Sequence, residues 1–166
     1  MDDYKRSAEL FNEIGKNARE EGIRFGYHNH GYGLKSWGEV RPIEIILDQT
    51  DPELVFFEMD LFWTTAGGIN PIELLDKYPN RYKLLHIKDM KPIKEFEGDG
   101  SSPQEWYGLF PNITSCGKGD IDLEGIIKTS KKNGLEHYFV EHDMVQQPEV
   151  ALKESFNYLK TVSKQL

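Results

Sequence analysis

Four apolar segments of the chain each end in histidine or charged side chains. The four endings are His28-Asn29-His30, Glu58-Met59-Asp60, His86-Ile87-Lys88-Asp89 and Glu141-His142-Asp143. Neutral imidazole and carboxylate groups together form a ligand set suited to Mn, Zn, Fe, Co or Mg. One histidine alone is more often a structural residue than a metal ligand or a proton carrier, but four endings of the same kind favour a functional site.

The segments that precede these endings are typical of buried strands. Residues 23–28, 54–60, 82–89 and 137–143 are short and rich in aliphatic and aromatic side chains, and segments of helical periodicity separate them. Strands that are apolar on both faces and alternate with helices are typical of a parallel sheet covered by helices. The sequence therefore predicts an α/β fold with four parallel strands.

Five helices are predicted around these strands, over residues 7–22, 39–52, 70–80, 122–134 and 148–162. Asn70 is the expected cap of the third helix, with Pro71 in its first turn, and either Asp120 or Asp122 caps the fourth. Residues 91–119 are too long for a simple connection, and their Gly, Pro, Ser and acidic content predicts either a functional lid or a disordered segment.

The spacing of the polar residues places them on common faces of the strands. Because side chains alternate along a strand, the pairs that share a face are His28 with His30, Glu58 with Asp60, His86 with Lys88, and Glu141 with Asp143. In parallel α/β folds, functional sites lie at the carboxyl ends of the strands. If these faces point into a barrel, imidazoles and carboxylates converge at one mouth. Trp63 lies three residues after Asp60 and is either a core residue or an apolar wall for a sugar ring.

The composition is that of one soluble globular domain. The chain has 166 residues, of which 38% are hydrophobic and 29% charged. A net charge of −8 without a clustered basic patch argues against a nucleic-acid partner. No apolar run reaches the roughly 18 residues of a membrane span, and Cys116 is the single cysteine, which excludes an intrachain disulfide. A cytoplasmic location is the default expectation.

Three stretches of the chain resemble the sugar phosphate isomerase/epimerase family of the xylose isomerase-like TIM barrel superfamily, which also includes endonuclease IV. They are GYHNHGYGL, LVFFEMDLFWTTAGGINPIELLDKYPNRYKLLHIKDM and GKGDIDLEGIIKTSKKNGLEHYFVEHD. The resemblance implies a TIM-type (β/α)8 barrel in which Glu, Asp, His and Glu hold one divalent metal ion (Mn, Zn, Mg, Co or Fe) at the strand ends. It also implies a sugar or keto-sugar as the substrate.

Carried onto this sequence, the last three ligands of the family match Asp60, His86 and Glu141. The first ligand position falls near His28, where many relatives have a glutamate, and other relatives with a similar HNH motif have a glutamate near the position of Gly33. This sequence has a carboxylate at neither position. The resemblance therefore implies a site in which His28 or water completes the metal shell.

The activity implied by the resemblance is isomerisation or epimerisation of a sugar, by proton abstraction beside a carbonyl through an enediolate. In that mechanism Glu141 is both ligand and base, and His28 completes the ligand set or acts as the second proton carrier. His30, Trp63 and Lys88 position substrate hydroxyls, although Lys88 could equally be a solvated charge. One alternative is a metal-dependent lyase or dehydratase acting on a keto-sugar, which needs a single base. The other is a catalytically incomplete half-barrel.

The chain supplies about four C-terminal β/α units of such a barrel, because a full barrel needs about 250 residues. We expect residues 1–166 to form one partial barrel domain with two open sheet edges, its inner face lined by Phe25, Phe56 or their neighbours. Open edges and exposed apolar faces favour association. The chain is therefore expected to form a homo-oligomer through its first and last strands, such as a two-fold pair of half-barrels, or to be covered by a missing N-terminal half.

Overall fold

The computed structural model describes residues 1–165 and contains the four parallel strands that the sequence predicts. Leu166, the last residue of the predicted domain, lies outside the described residues. The strands are β1 (Phe25–His28), β2 (Val55–Asp60), β3 (Tyr82–Ile87), β4 (Asp89–Met90), β5 (Ile113–Thr114) and β6 (His137–Val140). The central sheet has the order β1-β2-β3-β6 and every neighbouring pair in it is parallel. This is the α/β architecture of a partial barrel.

The helices are α1 (Asp2–Glu20), α2 (Pro42–Gln49), α3 (Leu61–Ala66), α4 (Pro71–Lys77), α5 (Pro103–Leu109), α6 (Leu123–Lys132) and α7 (Pro148–Gln165). The predicted caps are confirmed: Asn70 accepts the backbone N–H of Ile72 at the start of α4, and Asp122 accepts that of Gly125 at the start of α6. Asp122, rather than Asp120, is therefore the residue that caps α6. Over residues 1–165, no helix is long and apolar enough to cross a bilayer.

The third strand is shorter than predicted because Asp89 leaves the central sheet. Its carboxylate accepts backbone N–H groups of Gly117, Gly119 and Ile121, and β4 then pairs antiparallel with β5. The segment 91–119, predicted as a lid or a disordered segment, contains α5, β5 and a 3-10 turn at Phe110–Asn112. The disordered alternative is therefore wrong.

The hydrophobic core lies between the outer face of the sheet and the helices. Phe57, Met59 and Leu85 are fully buried there, at the centre of the sheet. Phe25 also faces the helices, since its ring lies 5.4 Å from that of Phe11 in α1. The expectation that Phe25 lines the inner face is thus wrong, whereas Phe56 does lie on that face, beside Gly26.

The sheet is strongly curved towards its inner face. The rings of His28 in β1 and His86 in β3 lie 4.4 Å apart although β2 separates the two strands. At the other end of the sheet, Arg24 and Glu136, which precede the two edge strands, form an ion pair with 2.8 Å between Nη1 and Oε2. The side chains that point inwards from different strands therefore meet at short distances.

One helix covers the outer face of each edge strand. The rings of Phe11 in α1 and Tyr27 in β1 lie 5.1 Å apart, and the hydroxyl groups of Tyr138 in β6 and Ser163 in α7 lie 3.1 Å apart. The outward faces of these two helices expose apolar side chains, among them Leu10, Ile14, Leu152 and Phe156. Within residues 1–165, neither edge strand has a second neighbour in the central sheet.

Candidate metal centre

The carboxyl ends of three adjacent strands bring two imidazoles and one carboxylate together. His28, Asp60 and His86 each offer a ligand atom, and these atoms all lie within 4.8 Å of one another. Asp60 Oδ2 lies 4.0 Å from His28 Nε2 and 3.8 Å from His86 Nδ1. The parallel register produces this arrangement, because Asp60 pairs with His86 across β2 and β3 and the last residue of β1 is His28.

Asp60 is fully buried and connects the strand to the following helix. Its Oδ1 accepts the backbone N–H of Trp63 at 3.0 Å and so caps α3, which is why β2 ends at this residue. Its Oδ2 points towards the two imidazoles. Burial raises the pKa of this carboxyl to about 6, although the charge of Lys88 opposes the shift.

Lys88 is a buried cation rather than a solvated one. Only 2% of its side chain is exposed, and its Nζ lies 3.0 Å from Asp60 Oδ2, 2.7 Å from Glu141 Oε2 and 2.7 Å from Asp143 Oδ2. Burial alone would lower the pKa of the ammonium group, but the attraction of Asp60 and the hydrogen bonds to Asp143 and Glu141 raise it. The alternative that Lys88 is a solvated charge is therefore wrong.

Glu141 is the most exposed carboxylate around these ligands. Its side chain is 41% exposed, and its Oε2 lies 2.8 Å from His86 Nδ1. Partial burial pushes the pKa of this carboxyl upwards, but Lys88 and His86 outweigh that effect and the pKa is lowered. Glu141 is therefore an ionised carboxylate on the more exposed side of the cluster.

Glu58 is a site residue that the sequence reasoning did not select. Its Oε2 lies 3.4 Å from His28 Nδ1 and its Oε1 lies 3.3 Å from His86 Nε2, with 17% of the side chain exposed. The available signal was the two-residue spacing between Glu58 and Asp60, which places both carboxylates on the inner face of β2.

His30 and Trp63 lie beside this cluster in an aromatic wall. The centroid of the His30 ring is 4.2 Å from that of Trp63 and 4.3 Å from that of Trp106, which comes from α5. Lys88 Nζ lies 5.6 Å from the centre of the Trp63 ring. Burial and the charge of Lys88 lower the pKa of His30 to about 4. The structure therefore packs the rings of His30, Trp63 and Trp106 against one another. The substrate contacts predicted for His30, Trp63 and Lys88 stay predictions.

Two buried polar atoms at the centre of the cluster test whether a metal ion fits. Within the described part of the chain, Asp60 Oδ2 and His86 Nδ1 have close charged neighbours in Lys88 and Glu141, but neither contact has the geometry of a hydrogen bond. A divalent cation would satisfy both atoms, and one carboxylate with two imidazoles is a donor set that zinc, manganese and related ions accept. The residues present therefore fit such an ion.

Comparison with known protein families gives one match that runs through almost the whole chain. The family model described as "Xylose isomerase-like TIM barrel" matches residues 2–162. Among curated proteins, the inosose dehydratase of Clostridium perfringens (strain 13 / Type A) is 34% identical over 155 residues, which are 90% of this chain and 50% of that protein. The inosose dehydratase of Clostridium beijerinckii is 30% identical over 152 residues, with the same shares of the two chains.

Solved structures give the same fold. A sugar phosphate isomerase/epimerase from Parabacteroides distasonis matches with a TM-score of 0.74 and 30% identity, over 95% of this chain and 52% of that one. The IolI protein, solved with a zinc atom, shares the fold at a TM-score of 0.70 and 18% identity, over 98% of this chain and 56% of that one. The chain thus spans about half the length of the relatives it matches.

Proposed function

The chain belongs to the xylose isomerase-like TIM barrel family, and from that premise we propose that it carries the metal site of an enzyme that removes a proton beside the carbonyl of a polyhydroxylated ketone. The substrate class is a keto-sugar or, as for the relatives named inosose dehydratase, an inosose. The observation that carries the proposal is the position of Glu141, an ionised and partly exposed carboxylate 2.8 Å from an imidazole of the candidate ligand set.

In this proposal Asp60, His86 and Glu141 hold one divalent ion, and His28 completes the ligand set. When bound, the ion polarises the substrate carbonyl and stabilises the negative charge that develops on its oxygen. The two imidazoles must be neutral to act as ligands, and burial favours that state by lowering the pKa of His28.

Glu141 is the proposed base. It accepts the proton from the carbon beside the carbonyl, and the electron pair of the broken C–H bond moves towards the carbonyl oxygen. The protonated Glu141 can then return its proton to either of two atoms of the substrate. If it returns the proton to a hydroxyl on the next carbon, that group leaves as water; if it returns the proton to a carbon, the product is an isomer or an epimer.

Elimination of water is the outcome we favour. One carboxylate that faces solvent is sufficient for it, and Glu58 is held between two imidazoles while Asp60 is fully buried. The curated relatives named inosose dehydratase support this choice. Isomerisation or epimerisation is the second candidate, and the Parabacteroides distasonis neighbour supports it.

The remaining predicted contacts complete the proposal. His30 bonds to substrate hydroxyl groups, with the fully buried Trp63 packed behind its ring, while Lys88 holds the carboxylates of Asp60, Glu141 and Asp143 in place. A small polyol ketone, and neither nucleic acid nor a membrane, is the proposed partner, and a cytoplasmic location is the expected one.

Hydrogen exchange in heavy water tests the proposal before any product is known. The metal-loaded protein is incubated in D2O with an inosose, a ketose and a 3-keto-sugar, and each compound is analysed by mass spectrometry and NMR. Deuterium beside the carbonyl is expected for at least one of them, with loss of water if the protein is a dehydratase. Glu141→Gln is the matched variant that keeps the shape of the side chain and cannot accept the proton. Absence of exchange in all three compounds, or equal exchange in Glu141→Gln, would contradict the assignment.

A further inference from the structure

We infer that Glu58 is a positioning residue that fixes the tautomer of His28 and helps to orient His86 in the candidate metal centre. Its importance for metal binding rests on the proposed function. Its effect on the two histidines does not, because the contacts are made by the chain itself.

The two nitrogens of each imidazole face different carboxylates. His28 directs Nε2 towards Asp60, at 4.0 Å, and Nδ1 towards Glu58, at 3.4 Å. His86 directs Nε2 towards Glu58, at 3.3 Å, whereas its Nδ1 lies 3.8 Å from Asp60 and 2.8 Å from Glu141. Asp60 and Glu58 therefore flank the pair of rings on opposite nitrogens.

The position of Glu58 on the central strand explains how one side chain reaches both rings. Its backbone pairs with His28 across β1 and β2, and His86 is the partner of Asp60, two residues further along β2. His28 Nδ1 is buried and has no hydrogen-bond partner of acceptable geometry among residues 1–165. Among the described residues, Glu58 is the one carboxylate with an oxygen within 4.0 Å of that nitrogen, at 3.4 Å.

A carboxylate that accepts from His28 Nδ1–H selects one tautomer of that ring, in which the lone pair of Nε2 points towards Asp60. For His86, Glu141 Oε2 lies 2.8 Å from Nδ1 and competes for the proton, so Glu58 helps to orient this ring and does not alone fix its tautomer. Metal-binding histidines commonly have such an acceptor on the nitrogen that does not bind the metal. Here a single carboxylate, with one oxygen for each ring, would serve two ligands.

Glu58→Gln is the informative variant because a carboxamide has one acceptor oxygen and one donor nitrogen. It can satisfy the N–H of one imidazole and must present its own N–H groups to the other. Glu58→Asp keeps both oxygens but shortens the side chain, so it is expected to lose contact with one ring. Glu9→Gln, at an exposed position on α1, removes the same charge far from the site and is the control.

The first measurement is the protonation of the His28 ring nitrogens by long-range ¹⁵N–¹H NMR in metal-free protein, with both imidazoles neutral. We expect the Nδ1–H form in the unchanged protein and in Glu9→Gln, and a mixture of both tautomers in Glu58→Gln and Glu58→Asp. Circular dichroism identifies variants that fail to fold; if Glu58→Gln does not fold, Glu58→Asp decides. An unchanged His28 tautomer in the folded variants would overturn the inference.

The second measurement is zinc binding by calorimetry. Loss of an outer acceptor of this kind typically weakens metal affinity by about 10–100-fold, and we expect a loss of that size for Glu58→Gln and none for Glu9→Gln. Equal zinc affinity of all variants would overturn the metal-positioning role. If the unchanged protein binds no zinc or other divalent ion, the proposed function fails, whereas the NMR result still decides the role of Glu58 towards the histidines.

Discussion

Lys88 balances the charge of the site at the level of single residues. Its ammonium group is the cation closest to the fully buried Asp60, so Lys88→Met leaves that carboxylate without a counter-ion. Removing one partner of a buried ion pair costs about 3–5 kcal/mol, and we expect the free energy of unfolding of the metal-free protein to fall by about 3 kcal/mol in urea denaturation. Saturating zinc should restore part of this loss, because an ion bound beside Asp60 replaces the missing charge.

The control for this change is Lys128→Met, which removes a lysine from the exposed face of α6. Its free energy of unfolding is expected to stay within about 0.5 kcal/mol of the unchanged protein. Equal stability of Lys88→Met and Lys128→Met would mean that the ion pair with Asp60 does not support the fold.

Metal uptake is the prediction that tests the ligand residues directly. Changing Asp60 to Asn and His86 to Ala together removes the buried carboxylate and one imidazole, and we expect the bound metal measured after dialysis to fall to background. His137→Ala, an exposed histidine on β6, should bind as much metal as the unchanged protein. Unchanged metal content in the double variant would rule out this site.

The sequence alone predicted which strand ends converge, but not how each side chain is used. His28, Asp60, His86 and Glu141 meet because parallel strands place their carboxyl ends at one edge. The burial of Lys88 could not be read from its position, since that depends on carboxylates from two other strands. The sequence placed Glu58 on the same face as Asp60, but its contacts with two imidazoles could not be predicted because they depend on side chains of the two neighbouring strands.

At the level of elements, the segment 91–119 packs closely against the loop after β1. Gly31 in that loop lies against the indole of Trp106 and the backbone of Gly100. A Cβ atom at Gly31 would overlap the indole nitrogen of Trp106 and the carbonyl oxygen of Gly100. We expect Gly31→Ala to lower the free energy of unfolding by about 1–3 kcal/mol, as other overpacked sites do, and to change the near-UV circular dichroism of Trp106.

The matched control is Gly108→Ala in α5, where a Cβ atom meets nothing within 4 Å. Because alanine favours a helix more than glycine, this variant should be unchanged or more stable by up to about 1 kcal/mol. If both variants had the same stability, α5 would not be packed on the loop after β1 as described.

The thiol of Cys116 reports on the contact between this segment and α7. Burial raises the pKa of the Cys116 thiol to about 11, and the backbone N–H of Cys116 donates to Ser155 Oγ. The unfolded thiol ionises at lower pH than the folded one, so the unfolded state binds fewer protons between pH 9 and 11 and the free energy of unfolding falls with pH there. The fall attributable to Cys116 should be about 3 kcal/mol at most, since one pKa unit corresponds to about 1.4 kcal/mol.

The measurement is urea denaturation from pH 9 to 11 for the unchanged protein and for Cys116→Ala. Because tyrosines and lysines titrate in the same range, the difference between the two proteins isolates the thiol. Identical pH dependence would mean that Cys116 is not protected by this contact.

The boundaries of the elements were less predictable than their order. Hydrophobic periodicity predicted the alternation of strands and helices, because each element must bury one face. It did not predict that Asp89 binds three backbone N–H groups of residues 117–121, since that contact joins segments about 30 residues apart. The sequence also did not predict α5, because the segment 91–119 has the Gly, Pro, Ser and acidic composition of a loop.

At the level of the whole molecule, the two sheet edges and the helices beside them predict association. Leu152 and Phe156 on α7 are more than half exposed, and such apolar surface favours contact between molecules. We expect light scattering to show oligomers that dissociate on dilution. The double change Leu152→Glu and Phe156→Glu should shift the protein towards monomer, whereas Tyr107→Glu, at an exposed position on α5, should not.

A monomer that stays monodisperse at high concentration and unfolds cooperatively would contradict this expectation. It would mean that the curved four-stranded sheet is stable with both edges exposed to water. The resemblance to a barrel family predicted the fold and the open edges correctly, because strand number and chain length follow directly from the sequence.

The helices at the two edges limit how such an assembly can be built. A complete barrel has one helix for each of its eight strands, but this chain places five helices, α1, α2, α4, α6 and α7, around four strands. If β6 of one copy paired with β1 of another, α7 of the first copy and α1 of the second would occupy the same position outside the barrel. A ring of two copies has two such junctions, so one helix would have to leave the barrel at each of them. We therefore expect copies of this chain to associate through the exposed apolar side chains of α1 and α7 rather than by closing a ring edge to edge.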